Sequence, residues 1–153
     1  MSLKTWFQPV RVPTFGSLAL LALRAIGGTA FMIHGWEKIG NPFHWMGPES
    51  KYPGFLQFLA ALSEFGGGLA WILGVLTPLA SLGIAATMAV AVYTHMQVMK
   101  DPFVNLTGGT AYELPSLFLG IAIVLMSLGA GRFSLDRAIF GPRALHLKSN
   151  DYP

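Results

Sequence analysis

The sequence predicts an all-α integral membrane protein, a bundle of four transmembrane helices with its N and C termini in the cytoplasm. Two observations lead to this class. Only 11% of the 153 residues are Asp, Glu, Lys or Arg, against about 25% in an ordinary soluble domain. These charges are also unevenly placed, because residues 65–99 and 114–131 contain none of them. Apolar runs of that length are typical of membrane spans.

Four apolar runs define predicted spans near residues 17–39, 55–76, 79–99 and 111–128. Thr77 and Pro78 divide the second span from the third, because proline does not continue a helix interior and disfavours helix in the residue before it. The first span is expected to stay in the membrane. Arg24 interrupts its apolar part, and no small-residue cleavage site precedes His34, so it does not resemble a cleaved signal peptide.

The orientation of the bundle follows from the basic residues that flank the spans. One side would carry six of them: Lys4, Arg11, Arg132, Arg137, Arg143 and Lys148. The other side would carry three: Lys38, Lys51 and Lys100. Since basic residues concentrate on the cytoplasmic side, both termini are predicted to be cytoplasmic. Residues 132–153 are expected to form an interfacial segment in which Ser134 caps a short helix, and residues 1–153 are predicted to form a single membrane domain.

Composition also excludes several kinds of chemistry and of partner. The chain has no Cys, so it forms no disulfide, thiolate metal site or dithiol redox centre. Its 10 Lys and Arg residues are spread thinly, without the cluster that a nucleic acid partner requires. The lipid bilayer is therefore the first expected partner.

Seven ionisable side chains fall within the predicted spans or at their outer ends: Arg24, His34, Glu37, Lys38, Glu64, His95 and Glu113. A charge in hydrocarbon costs several kcal/mol unless it is paired or hydrated, so each is a functional candidate. The alternative is that these groups only pair with one another and hold the bundle together.

Helical geometry narrows this set. At about 100° per residue, Arg24, His34 and Lys38 share one helix face, whereas Glu37 points away from it. Glu64 lies roughly 13 Å below the outer end of its span, and Arg24 roughly 22 Å below the end of the first span. An extended guanidinium would bridge that difference, so we expect an ion pair between Arg24 and Glu64.

Small residues surround Glu64 on its helix. Gly67, Gly68 and Trp71 fall on the same face as Glu64, which predicts a flat slot beside the carboxylate, although the same glycines also suit helix packing. The opposite face carries small residues at intervals of four: Gly66, Ala70 and Gly74. This second pattern predicts close approach by another helix.

His34 and His95 are expected at similar depth, with Glu113 nearby. Three interpretations stay open: axial ligation of a haem, a metal held together with Glu113, or hydrogen bonding and proton relay. No closely spaced pattern of His and carboxylate residues supports a metal, so no metal site is assigned.

Aromatic residues crowd the outer ends of the first two spans: Trp36, Phe43, Trp45, Tyr52 and Phe55. They suit an aromatic belt at the headgroup level, or alternatively a lid over an outward-facing pocket.

Several blocks of sequence, spread over residues 17–140, resemble the DoxX family of prokaryotic membrane proteins. They are Leu23-Arg24, His34-Gly35-x-x-Lys38, Leu62-Ser63-Glu64-Phe65-Gly66-Gly67-Gly68, Leu73-Gly74-x-Leu76-Thr77-Pro78, Glu113 and Gly129-Ala130-Gly131-Arg132-Phe133-Ser134-Leu135-Asp136. The resemblance implies a multi-pass four-helix bundle in the prokaryotic plasma membrane, with cytoplasmic termini and a quinone-linked redox setting. The matching polar positions are Arg24, His34, Lys38, Glu64 and Glu113, with His95 a weaker correspondence.

The function expected from this resemblance is a quinone-linked oxidoreductase component with a polar ligand pocket in the outer half of the bundle. Glu64, His34 and Lys38 are the predicted catalytic residues. The predicted ligand-binding residues are Arg24, Trp71, His95 and Glu113. Quinone is the expected cofactor, and without a haem or flavin motif the electrons would come from a redox partner subunit or a reduced substrate.

The alternative is a non-enzymatic assembly or anchoring subunit of a membrane redox complex. A small-molecule carrier would instead favour broken helices or inverted repeats, which the sequence does not clearly contain. Whether the chain forms a homo-oligomer stays open.

Overall fold

The computed structural model of the protein describes residues 3–142, and within this range the regular structure is entirely helical. The helices are α1 (Leu3–Phe7), α2 (Thr14–Ile39), α3 (Gly54–Leu73), α4 (Thr77–Tyr93), α5 (Glu113–Leu128) and α6 (Leu135–Phe140). A π-helical segment, Thr94–Met99, continues α4. The all-α prediction is therefore confirmed for the described residues.

Three helices are long and apolar enough to cross a membrane: α2, α3, and α4 together with the π-helical segment. The predicted fourth span corresponds to α5, a shorter apolar helix of 16 residues. Large apolar side chains such as Phe15 and Ile26 point outward, as contact with lipid requires. The number of spans and the cytoplasmic location of the termini stay predictions. Arg143, Lys148 and the rest of the predicted interfacial segment beyond residue 142 lie outside the described residues.

The α3–α4 turn lies close to the predicted break but begins earlier. Gly74 takes a left-handed conformation with φ of 66° and ends α3 at Leu73, whereas the predicted span continued to residue 76. Pro78 lies in the first turn of α4, where a missing N–H removes no helical hydrogen bond. Proline thus helps to start the second helix of this hairpin, and glycine ends the first.

Helices α2 and α3 approach each other through glycine. A Cβ atom at Gly68 would lie 2.7 Å from the Gly28 carbonyl oxygen, and one at Gly28 would lie 2.6 Å from the Gly68 oxygen. Gly66 of the predicted packing stripe takes no part in this contact, because a Cβ atom there would meet only Leu62 of its own helix. The close approach uses the face of α3 that also carries Glu64.

Neighbouring helices pack in chain order, α2 on α3, α3 on α4 and α4 on α5. Their shared core centres on Trp71, which is fully buried. The Trp71 indole donates a hydrogen bond to the Ser81 hydroxyl at 2.9 Å, and the Phe31 ring lies edge-on to it at 5.6 Å. Ile84 and Leu125 complete this core from α4 and α5.

The bundle has two distinct ends. We call the end that holds the α3–α4 turn, α1 and α6 the turn end, and the end that holds the loops 40–53 and 100–112 the loop end. At the turn end the rings of Phe7 and Phe140 stack at 5.2 Å, and the Val10 amide donates to the Leu128 carbonyl at 2.9 Å. Ser134 caps α6 by accepting a hydrogen bond from the Arg137 amide at 3.2 Å, as the sequence predicts.

Candidate functional site

A buried ion pair joins α2 to α3 toward the loop end. The Lys38 ammonium lies 2.6 and 2.5 Å from the two carboxylate oxygens of Glu64. The Glu64 side chain is 5% exposed and that of Lys38 is 23% exposed. The Trp45 ring lies over the ammonium, 4.4 Å from Nζ to the ring centroid, so the pair has an aromatic cover as well as two hydrogen bonds.

Close backbone packing brings Lys38 to Glu64. A Cβ atom at Gly35 would lie 2.5 Å from the Phe65 amide nitrogen, so α3 rests directly on α2 at this level. Lys38 follows Gly35 by about one helical turn, and its side chain leans back toward the N-terminus of α2, as helical side chains do. That direction takes the ammonium into the bundle, to the level of Glu64.

The predicted ion pair between Arg24 and Glu64 is wrong. Arg24 precedes Lys38 by 14 positions, which corresponds to roughly 21 Å along the helix. Glu64 has a nearer partner in Lys38, and Arg24 lies instead in the junction at the turn end.

Gln57 fixes the cover over the ion pair, a role that the sequence analysis did not identify. Its side-chain oxygen accepts a hydrogen bond from the Met46 amide at 3.0 Å, and its side-chain nitrogen donates to the Tyr52 carbonyl at 2.9 Å. Its own carbonyl accepts from the Trp45 indole at 2.9 Å. These contacts hold Trp45 over the ion pair, as the predicted lid would require. Trp36 is instead 67% exposed, as a residue of the predicted aromatic belt would be.

Arg24 forms a structural junction with the segment that follows α5. It is fully buried, and its guanidinium donates to the Phe133 carbonyl at 2.7 Å. Gly74 leaves room for it, since a Cβ atom there would overlap the guanidinium. The fully buried Asp136 lies close enough to interact with its charge and accepts hydrogen bonds from two backbone amides at the start of α4, at 2.7 and 2.9 Å.

His95 is paired with Asp101, a residue that the sequence analysis did not single out. His95 Nδ1 lies 2.7 Å from one Asp101 carboxylate oxygen, and the Thr110 hydroxyl donates to the other at 2.8 Å. Lys100, in the left-handed region with φ of 59°, reverses the chain between the two. The hydrogen bond from His95, followed by that from Thr110, holds the pKa of Asp101 below its usual value.

The remaining polar candidates are not gathered around one point. His34 is exposed on α2, beside the buried stripe that contains Arg24, and Glu113 is half-buried at the first residue of α5. Within residues 3–142, no three His, Asp or Glu side chains come together in a way that could hold a metal ion. His34, His95 and Glu113 therefore form no shared metal group in this arrangement.

The predicted flat slot beside Glu64 is filled by protein. Gly68 faces Gly28 at backbone contact distance, and a Cβ atom at Gly67 would lie 3.1 Å from the Ile84 side chain. Trp71 is in the core, so it lines no open space in this arrangement. The two glycines serve helix packing, which is the alternative that their sequence pattern left open.

An open groove lies on the surface of α2 and α3. Two of its lining residues, Glu37 and Phe65, are the chain neighbours of Lys38 and Glu64. It has a volume of about 420 Å³ and is lined by Thr29, Met32, Ile33, Trp36, Glu37 and Phe65. The Trp36 and Phe65 rings lie 5.8 Å apart. Apolar and aromatic walls with a single carboxylate suit a flat ring that carries polar oxygens, and the chemistry of a quinone ring fits these residues.

The fold and these sites define the class of protein, a multi-pass helical membrane protein with buried polar junctions toward both ends of its bundle. The family model of DoxX matches residues 19–97, just over half of the chain. The chain belongs to the DoxX family. The matched region includes Arg24, His34, Lys38, Glu64, Trp71 and His95, whereas Glu113 lies outside it. No curated protein and no solved structure matches the chain.

Proposed function

We propose that this DoxX protein is a component of a quinone-linked oxidoreductase system and that the groove on α2 and α3 binds the quinone ring. The observation that carries the proposal is the groove itself, about 420 Å³ of open space with Met32 and Phe65 among its apolar lining residues. Because its lining includes exposed residues of α2, such as Ile33 and Trp36, a hydrophobic ligand can enter it directly from the bilayer.

A bound quinone would supply two-electron redox chemistry, with the electrons coming from a redox partner subunit or a reduced substrate. The chain itself supplies binding and proton exchange. Glu37 is the carboxylate that lines the groove, so in this proposal it holds or releases a proton at the ring. Trp36 and Phe65 position the ring by stacking.

Lys38 and Glu64 are the chain neighbours of two groove-lining residues, Glu37 and Phe65. Their ion pair fixes α2 against α3 at that level. We propose that the pair keeps the two groove walls at a constant separation. In this proposal Glu113 and His95 relay protons to the outer face, and His34 stays a candidate proton donor.

Fluorescence quenching tests the binding step. A short-chain ubiquinone analogue, titrated into the purified full chain in mild detergent, should quench Trp36 with saturation. A Trp36→Phe variant should lose the saturable part, and Trp6→Phe, which alters a tryptophan at the turn end, should keep it. Quenching that rises without saturation in the unsubstituted protein, as for simple partitioning into micelles, would show that the groove binds no quinone.

A second measurement tests the proton step. In membranes that contain the redox partners, Glu37→Gln should lower quinone reduction about a hundredfold or more, the contribution expected for a positioned acid or base. Glu49→Gln, which alters an exposed carboxylate in the loop 40–53, is the matched control and should leave the rate unchanged. Equal rates in the two variants would remove Glu37 from the reaction.

The alternative function, a non-enzymatic assembly or anchoring subunit, is favoured by one observation. The buried charges at Lys38 and Glu64 satisfy each other, as a purely structural role requires. This function predicts that no quinone co-purifies in mild detergent and that deletion of the chain destabilises a membrane redox complex. Mass spectrometry of the extracted protein and native gels of the deletion strain distinguish the two functions.

A further inference from the structure

A second cavity lies at the turn end, remote from the groove. It has a volume of about 280 Å³, and its lining includes three arginines, Arg11, Arg132 and Arg137, together with Ser17. The buried Ser17 hydroxyl accepts a hydrogen bond from the Arg132 amide at 3.3 Å, which ties the segment after α5 to the first turns of α2. Two distant parts of the sequence thus build one basic cavity.

No carboxylate neutralises these arginines within the part of the chain that the structure describes. The ion pairs there involve only Glu64 and Asp101 as acids, both outside this cavity. Asp136 is adjacent to Arg137 in sequence, but it is fully buried and its oxygens face the start of α4. Among residues 3–142, the cavity therefore carries three positive charges without a counter-charge of their own.

The cavity also lies at the ends of apolar helices, the level at which a bilayer surrounding them would place its lipid phosphates. It adjoins the beginning of α2 at Thr14 and the segment just past the end of α5 at Leu128. The positive end of the α2 dipole adds to the charge of the arginines. Guanidinium groups bind phosphate oxygens through paired hydrogen bonds.

We propose that this cavity binds a phosphate group, supplied either by the headgroup of an anionic lipid or by free phosphate. The proposal does not depend on quinone binding, because the two cavities share no residue. Its consequence is that the beginning of α2 and the segment that follows α5 are held together by an anion as well as by their own contacts.

Native mass spectrometry of the full chain in mild detergent tests the site. The protein is offered equal amounts of phosphatidylglycerol and phosphatidylcholine with matched acyl chains, and inorganic phosphate is added as a competitor. The unsubstituted protein should retain phosphatidylglycerol preferentially. Arg11→Gln, Arg132→Gln and Arg137→Gln should each weaken that retention about fivefold, the effect of one basic residue near an anionic headgroup.

Lys4→Gln is the matched control, because it removes an exposed charge at the same end of the bundle without touching the cavity lining. Arg11→Gln alone keeps the test valid if the other variants fail to fold, since Arg11 is exposed. Competition by millimolar phosphate would identify free phosphate as the ligand, and retention without competition would identify the lipid. Loss of retention in Lys4→Gln equal to that in Arg11→Gln would overturn the proposal, as would the absence of both lipid preference and any phosphate effect.

Discussion

The ion pair between Lys38 and Glu64 makes an asymmetric prediction about stability. Lys38→Met would leave the Glu64 carboxylate, 5% exposed, without a counter-ion, and losing one partner of a buried pair costs about 3 kcal/mol. Glu64→Gln would leave an ammonium that is 23% exposed and still covered by Trp45. Because that ammonium is less buried than the carboxylate and the new amide still accepts its hydrogen bond, we expect a loss of about 1 kcal/mol.

The double variant completes the cycle. With both charges removed, the loss should be about 2 kcal/mol, so the double variant should be more stable than Lys38→Met alone, which corresponds to a coupling of about 2 kcal/mol. The free energy of unfolding can be measured by titrating sodium dodecyl sulfate into dodecyl maltoside micelles and following far-ultraviolet circular dichroism. Lys51→Met, on an exposed loop lysine, is the matched control and should change stability by less than about 0.5 kcal/mol.

Two results would refute this reasoning. If Glu64→Gln destabilised the protein as much as Lys38→Met, burial of the carboxylate would not control the cost. If the losses in the two single variants added in the double variant, the charges would not interact in the folded protein despite the observed distance.

Three further predictions concern packing, the turn end and pH. Gly68→Ala should destabilise the protein by about 2 kcal/mol or more, because the new methyl group would lie 2.7 Å from a backbone oxygen of α2. The matched control is Gly120→Ala, which places its methyl group in open space on α5. This control should be neutral or stabilising by up to about 1 kcal/mol. Asp136→Ala should cost about 3 kcal/mol, since two buried amides lose a charged acceptor and Arg24 loses its negative neighbour. The contribution of Asp101 to loop stability, which arises from its lowered pKa, should be complete above about pH 4 and lost as the pH falls through that lowered pKa.

Unfolding titrations of the same kind measure the first two effects, and hydrogen exchange over residues 100–110 measures the third. The packing prediction fails if the alanines at positions 68 and 120 have equal effects. The prediction for Asp136 fails if Asp136→Ala is no less stable than the parent. For the loop, an Asp101→Asn variant that still shows the parent's acid transition would exclude the carboxyl as its cause.

Composition and local signals were sufficient to predict the class of protein and the approximate helices. The charge-free runs identify the second half of α3 together with α4 and α5, and the Thr77-Pro78 pair marks the α3–α4 hairpin, because these signals act over a few neighbouring residues. The predicted end of α3 was too late because Gly74, which precedes Pro78 in the chain, takes a left-handed conformation and ends the helix at Leu73. Ser134 was predicted as a cap from its identity alone.

The ion pair was misassigned for a different reason. The outer ends of α2 and α3 were predicted to within one residue, and the estimate already placed Arg24 roughly 9 Å deeper than Glu64. The error was to bridge that difference with an extended guanidinium, because a helical side chain leans toward the N-terminus of its helix, which takes the Arg24 side chain away from Glu64. The prediction that Arg24 and Lys38 share one face of the helix was correct. The Lys38 side chain leans toward the N-terminus of its helix, and this signal could have favoured Lys38 over Arg24 as the partner of Glu64.

The glycine faces and the long-range contacts were beyond a single sequence. Gly66 and Gly68 are equally small, so composition does not show which face of α3 meets α2. The π-helical segment has only six residues, too few for a periodicity that the sequence could reveal. His95 lies in this segment, so its pairing with Asp101 could not be predicted either. Asp136 accepts hydrogen bonds from backbone amides some 60 positions earlier in the chain, and local sequence patterns do not predict contacts over that separation.

The junction at Arg24 has a consequence for the order of synthesis. The carbonyl that accepts its hydrogen bond lies 109 positions later in the chain, which at 5–20 residues per second is a delay of roughly 5 to 20 seconds during translation. Throughout that interval the first span must reside in the translocon or the bilayer with an unmatched guanidinium, at a cost of about 3 kcal/mol. The first span therefore gains the hydrogen-bond acceptor for its buried arginine only when Phe133 has been made, and Asp136 follows as the negative neighbour of that arginine.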